Sequence, residues 1–200
     1  MLTEDQKHIR TGKFTGSEIY KIMGAKGMGK TGETYVFEKV SEFLTGLPAN
    51  PEFKSVATDW GNEHESEAAD YLCSATGIKI KELGTIHNDD ICGTPDRIEE
   101  NDMFGIEIKC PYNISNHLKN LCLEKHADLL DLHPEYYWQI VTYSWLTKIE
   151  HWKFVSYDPR FKEEKRMFVL NFMVTEKDIT PLKNRIIEAN LMFNNIISKL

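Results

Sequence analysis

"GTPDRIEENDMFGIEIKCP", residues 93–111, contains two short β-type runs, "GTPDRI" and "FGIEIK", on either side of Asn101-Asp102. A turn-forming pair between apolar runs predicts a β-hairpin. Side chains alternate along a strand, so Glu107 and Lys109 should share one face while Ile106 and Ile108 face the core. Asp96 lies on the partner run. The hairpin therefore brings two carboxylates and a lysine to one sheet surface. Oxygen donors of this kind suit hard divalent cations. "EIK" alone would be explained by an ordinary Glu–Lys pair on a solvated sheet face. Thr94-Pro95-Asp96 at hairpin distance shifts the reading to a site.

Working outward, "TDWGNEHESEAADYLCSATG" (residues 58–77) reads as a helix ending at Gly77. On a helical wheel, Gly61, Ala68, Ala69, Leu72 and Thr76 fall within about 60° of Glu65. Glu63, Glu67, Asp70 and Ser74 lie opposite. Glu65 thus sits on the small, apolar face, where an ionised carboxylate is costly unless a cation or hydrogen-bond donors meet it. A metal ion is the economical partner.

"TGSEIYKIMGA" reads as a short helix capped by Thr15 or Ser17, and Gly24 to Gly32 as a flexible loop. "TYVFEKVSEFLTG" reads as an amphipathic helix with Tyr35, Phe37, Val40, Phe43 and Leu44 near one side and Gly46 as its stop. "PEYYWQIVTYSWLTK" is a further helix, with Tyr137, Trp138 and Trp145 on the side away from Gln139. "HWKFVSY" and "RMFVLNFMV" are strands. Thr180-Pro181 fits an N-cap and first turn, and Leu182, Ile186, Phe193 and Ile197 give the last helix an apolar side. The order predicts an α/β fold, a mixed central β-sheet flanked by helices, in a single domain spanning residues 1–200.

The 200 residues are 41% hydrophobic and 11% aromatic, enough for a real core. No apolar run approaches a membrane span, and "MLTEDQKHIR" lacks a secretory signal's apolar core. A cytoplasmic protein without membrane contact is expected. Cys73, Cys92, Cys110 and Cys122 form no CxxC pair, which disfavours a zinc or iron–sulfur site. The net charge of −7 weighs against coating nucleic acid by bulk attraction, but not against an enzyme whose metal site needs carboxylates.

Gly24-x-x-x-x-Gly29-Lys30-Thr31 satisfies the letters of a nucleotide-binding P-loop. Its context is wrong. Such a loop follows a buried strand, whereas "SEIYKIM" reads as helix, and no later strand ends in a magnesium-binding Asp. No ATP is expected. Lys26 and Lys30 still offer a phosphate backbone two cations.

These residues carry a resemblance. "RTGKFTGSEI", "WGNEHESEA", "GTPDRI", "EIKCPY", "YYWQIVTYSWLT" and "FVSYDPR", in that order between about Arg10 and Arg160, resemble the phage lambda exonuclease family, the YqaJ-like viral recombinases of the PD-(D/E)XK nuclease superfamily. The resemblance implies that Asp96, Glu107 and the backbone carbonyl of Ile108 ligate Mg²⁺, with Mn²⁺ as a substitute ion. Glu65 would be the further acidic ligand. Lys109 would activate the attacking water, and Gln139 would hold that water or the phosphate. Arg10 and Ser17 match residues that bind a 5′-terminal phosphate, and Thr94 stands where a serine is usual beside it. Arg97 replaces a common glycine and is read as an added DNA contact.

The implied activity is 5′→3′ digestion of one strand of linear duplex DNA, leaving 3′ tails. A ring-shaped homotrimer around DNA, a single-strand annealing protein as partner, and the cytoplasm of a bacterial host to a phage or prophage come with it. A structure-specific or restriction-type endonuclease of the same superfamily would not need the Arg10–Ser17 pocket. A catalytically silent DNA-binding protein would not need all five core positions.

Overall fold

The computed structural model describes residues 8–50 and 55–200; residues 1–7 and 51–54 of the expected single domain lie outside this description. The hairpin forms where expected. Strands β5 (Arg97–Glu99) and β6 (Gly105–Lys109) pair antiparallel, with Arg97 opposite Ile106 and Ile98 opposite Gly105. Asp102 adopts a left-handed φ of 61°, a conformation Asp tolerates better than most residues. Glu99 Oε2 secures the turn by accepting the Asn101 and Met103 amides at 2.9 and 3.3 Å.

This hairpin belongs to a mixed five-stranded sheet. β2 (Ile80–Lys81) pairs antiparallel with β5, and β6 lies parallel to β7 (His151–Tyr157). β7 pairs antiparallel with β8 (Met167–Met173). A second, three-stranded sheet holds β1 (Phe14–Thr15), β3 (Ile86–His87) and β4 (Ile91–Gly93), with β1 parallel and β3 antiparallel to β4. The two strands read at "HWKFVSY" and "RMFVLNFMV" are β7 and β8. The very short β1, β2 and β3 are too brief to show a period.

The helices are α1 (Gly29–Thr45), α2 (Val56–Thr76), α3 (Ile114–Asn120), α4 (His126–Leu132), α5 (Pro134–Thr147), α6 (Glu163–Arg166) and α7 (Glu176–Ile197). Gly46 and Gly77 end α1 and α2 with φ of 69° and 72°, as the sequence predicts. α3, α4 and α5 make the crossover between parallel β6 and β7. α5 is buried on every side from Tyr137 to Ser144, so Gln139 lies in the interior with Tyr137 and Trp138.

Several expected elements differ. "TGSEIYKIMGA" is not one capped helix: Phe14–Thr15 joins β4, and only Ile19–Ile22 forms a 3-10 turn, without a side-chain cap. The segment expected as a loop to Gly32 becomes helical at Gly29. Phe37, Phe43 and Leu44 are exposed, because the buried face of α1 runs through Gly32, Tyr35, Val36, Lys39 and Val40. α7 starts one turn before Thr180: Thr175 and Asp178 form a capping box, and Pro181 lies inside the helix. Leu182 and Ile186 are core, and Phe193 meets Phe43 edge-on at 5.6 Å.

Two apolar layers sandwich the large sheet. Ile106, Ile108 and Val155 pack on Ala68, Ala69 and Leu72 of α2. Phe154, Trp152 and Phe172 join Ile140 and Val141 of α5 on the other side. Glu107 pairs in register with Phe154, which places it on the α5 side.

Candidate active site

Both faces of β6 are covered, so Glu107 is 0% exposed instead of solvated. Its Oε1 accepts Lys109 Nζ at 2.6 Å. Its Oε2 is buried without a hydrogen-bond partner. A buried carboxylate oxygen left this way is expensive. Asp96 sits one residue before β5 begins, where its side chain replaces the strand: Oδ2 accepts the Ile108 amide at 2.7 Å. Asp96 is thereby fixed to the strand that carries Glu107.

The electrostatics follow. Burial, then the Glu107 charge, drives the Asp96 carboxyl well above the usual carboxylate range, with Lys109 opposing. Burial likewise raises Glu107 against the pull of Lys109. Burial disfavours the Lys109 ammonium, yet Glu107 and Asp96 outweigh it and hold the group protonated. The same ammonium lies 5.0 Å from the centre of the Tyr136 ring. Tyr136 in turn stacks on Phe154 at 5.8 Å, so the ring that backs Lys109 is fixed by the sheet.

Glu65 reaches this cluster from α2. The Cys110 thiol is pushed up to about 12 by burial, then by the charges of Glu65 and Asp96, which places both near it. The Glu65 side chain is 33% exposed, and its expected cation is an amino acid. Arg97 Nη1 donates to Glu65 Oε1 at 3.2 Å and to the Asp96 backbone carbonyl at 2.5 Å, and Nη2 approaches Glu82 at 3.6 Å. Alternation explains the contact: Arg97 pairs with Ile106 and shares the face on which α2 packs. Arg97 and Glu65 thus meet in a salt bridge on the α2 side of the hairpin.

Gln139 donates to the Tyr143 hydroxyl at 3.0 Å. The Tyr143 hydroxyl is raised by burial and then by Glu107, so Gln139 is one partner removed from the carboxylates. The Tyr143 ring packs against Gly93, where a Cβ would collide with it.

The three-stranded sheet gathers the other candidates. Thr15 pairs with Cys92 and the Gly16 amide donates to the Cys92 carbonyl at 2.8 Å, so Ser17 and Thr94 leave the paired strands at the same end. Thr94 Oγ1 bonds Thr85 Oγ1 at 2.9 Å, and Ser17 is exposed. Burial raises the Cys92 thiol, and the charges of Arg10, Lys39 and Lys13 oppose it, so all three cations lie within electrostatic reach of β4. Thr94-Pro95-Asp96 joins this region to the carboxylates through two peptide bonds. Lys26 and Lys30 are exposed and stand apart, after the 3-10 turn and at the start of α1.

Tyr136, Tyr143 and the Arg97–Glu65 contact are functional neighbours that sequence reasoning missed. Tyr136 lies one helical turn before Gln139 and Tyr143 one turn after it, so helix periodicity carried that signal.

The donor set fits a hard divalent cation: Asp96, Glu107 with its unpartnered oxygen, and the Ile108 carbonyl are all oxygen donors. Among the described residues, no three His, Cys, Asp or Glu side chains form a group that could hold a metal ion.

The YqaJ-like viral recombinase domain matches residues 5–150. The chain belongs to that family. Its fold is similar to an alkaline exonuclease, LHK-Exo, from Laribacter hongkongensis: 24% identity over 98% of this chain and 97% of that one, TM-score 0.79. The same enzyme in complex with dAMP matches at 25% identity over 98% and 95% of the two chains, TM-score 0.83. A phage-related exonuclease from Haemophilus somnus 129PT matches at 19% identity over 94% and 96%, TM-score 0.77. No curated protein matches the chain significantly. The chain is a nuclease with the PD-(D/E)XK fold, and no helix among its described residues is long and apolar enough to cross a membrane.

Proposed function

We propose that this nuclease is a Mg²⁺-dependent 5′→3′ exonuclease that digests one strand of linear duplex DNA and leaves 3′ single-stranded tails for annealing-type recombination. The observation that carries the metal reading is the unpartnered, fully buried Oε2 of Glu107 beside Asp96 and Lys109. Mg²⁺ would be held by Asp96, Glu107 and the Ile108 carbonyl, and would supply Lewis-acid stabilisation of the phosphoryl oxygens and a lowered water pKa. Lys109 Nζ, which the carboxylates keep protonated, orients the attacking water; a cation that neutralised those carboxylates would let the ammonium release its own proton to solvent and then accept the water's. Tyr136 sets the position of Lys109, and Gln139, through Tyr143, shapes the wall behind the phosphate.

Polarity is supported by the phosphate-binding candidates beside the site. Arg10 can fork two N–H bonds to a terminal phosphate, with Ser17 and Thr94 adding hydroxyls. The covalent link from Thr94 through Pro95 to Asp96 would space such an end pocket from the scissile bond. The exposed Phe37, Leu44, Leu47 and Leu191 side chains support an assembly of several copies, with the trimeric ring as the form we propose. A single-strand annealing protein as partner and a bacterial cytoplasm complete the proposal.

The test is a product assay on linear duplexes with 5′-phosphate, 5′-hydroxyl or 3′-labelled ends, with and without Mg²⁺. Release of nucleotides from 5′-phosphorylated ends only with Mg²⁺ supports the reading. Rapid cutting of closed circular DNA would sink it in favour of an endonuclease.

A further inference from the structure

Among the described residues, Arg97 is the one cation that touches both a carboxylate of the cluster and the backbone of another. Its guanidinium donates to Glu65 Oε1 at 3.2 Å and to the Asp96 carbonyl at 2.5 Å. Its side chain is 14% exposed and that of Glu65 33%, so water screens this contact in part. The fork is wedged between α2 and the hairpin by its place on β5, and Glu82 lies on its outer side at 3.6 Å. Meanwhile Glu107 Oε2 is buried with no donor. Within one cluster, one carboxylate already has its cation and another waits for one.

We propose that Arg97 is a built-in counter-cation for Glu65. It withdraws Glu65 from the ligand set, leaves Asp96 and Glu107 as the carboxylates that meet a divalent ion, and weakens the site's hold on that ion. The inference rests on the metal reading above. Glu65, Asp96 and Glu107, with Glu82 on the outer side of the guanidinium, outnumber the two cations Arg97 and Lys109. A neutral side chain at position 97 removes one of those two cations and frees Glu65 to join the ligands. Arg97 is therefore a positioning residue: it acts through Glu65 and sets how much free cation the enzyme needs.

The experiment is Mn²⁺ binding to the full chain without DNA, followed by calorimetry and by loss of the free-ion electron paramagnetic resonance signal. Arg97→Gln and Arg97→Met, two neutral side chains of similar reach, are measured in parallel, so that one misfolded variant does not decide the result. Both should bind Mn²⁺ at least about tenfold more tightly than the unaltered chain, the scale expected when a nearby unit charge is removed from a partly screened site. Arg97→Lys keeps the charge and should stay near the unaltered affinity. Unchanged or weaker binding in the neutral variants, while Asp96→Asn abolishes binding, would overturn the role of Arg97 and leave the metal site standing. Equal tightening by Arg97→Lys would overturn it too, since charge would not be the cause. No Mn²⁺ binding in any form would remove the metal reading itself.

Discussion

Among the described residues, two Lys–Glu pairs built on a buried glutamate are constructed alike. In α1, Lys39 Nζ lies 3.1 and 3.0 Å from the two oxygens of Glu42 and 5.1 Å from the centre of the Tyr35 ring. In β6, Lys109 Nζ lies 2.6 Å from Glu107 Oε1 and 5.0 Å from the Tyr136 ring centre. The difference is in what else the carboxylate receives. Glu42 also accepts the Gly12 amide at 3.0 Å and the Ala49 amide at 3.2 Å, so both oxygens are satisfied. Glu107 Oε2 has nothing. A satisfied buried pair ties loops to a helix; an unsatisfied one holds a place for a ligand. Sequence spacing alone, i,i+3 on a helix against i,i+2 on a strand, would not separate the two roles.

The sharpest break in this comparison is Lys109→Met. It should lower Mg²⁺-dependent nucleotide release by roughly 10²–10⁴-fold, the usual worth of a positioned proton-transfer group, while thermal unfolding by circular dichroism stays cooperative. Glu42→Ala should do the reverse. It strands the Lys39 charge and two amides, for a loss of about 3–5 kcal/mol in urea unfolding, with turnover per folded molecule largely kept. If Glu42→Ala instead abolished activity without destabilising, the two pairs would not differ in kind.

Asp96→Asn sharpens the same contrast through pH. The folded-state carboxyl is raised above its unfolded value, so its stabilising protonated form is fully present below the ordinary carboxylate range and is lost as pH rises through the raised value. Without metal, Asp96→Asn should therefore be more stable than the unaltered chain at pH 8, by about 1 kcal/mol, and the advantage should shrink as pH falls. Melting temperatures across that range check both sign and trend. The smallest effect belongs to the exposed loop cations. Lys26→Ala with Lys30→Ala should reduce the salt dependence of DNA affinity by about two units of log–log slope, by fluorescence anisotropy, if each meets a phosphate.

Much of this site was legible because it rests on local periodicity. Alternation places Glu107 with Lys109 and Ile106 with Ile108, and the turn over residues 100–103 aligns Asp96 with them. What was not legible depends on contacts between elements. The wheel of α2 correctly puts Glu65 beside Ala68 and Leu72, but a wheel contains only its own helix and cannot supply Arg97. The same blindness misplaced Phe37 and Leu44: polar Lys39 disguises the buried side of α1, since its charge is neutralised by Glu42 one turn away. At α7, the Thr175–Asp178 capping box outweighs the more familiar Thr-Pro pair, and the start lies earlier than the proline suggests. Arg97 was nonetheless within reach of alternation, which sets it on the face opposite Asp96 and toward α2.

The bond from the Ile108 amide to Asp96 has a further consequence. It makes the gap between Asp96 and Glu107 a property of one hairpin, defined by bonded geometry and a single side-chain-to-backbone link. Surrounding helices and loops can then drift in sequence without retuning that gap. A centre carried this way depends on few residues outside its own hairpin, so a substitution elsewhere in the chain need not alter it.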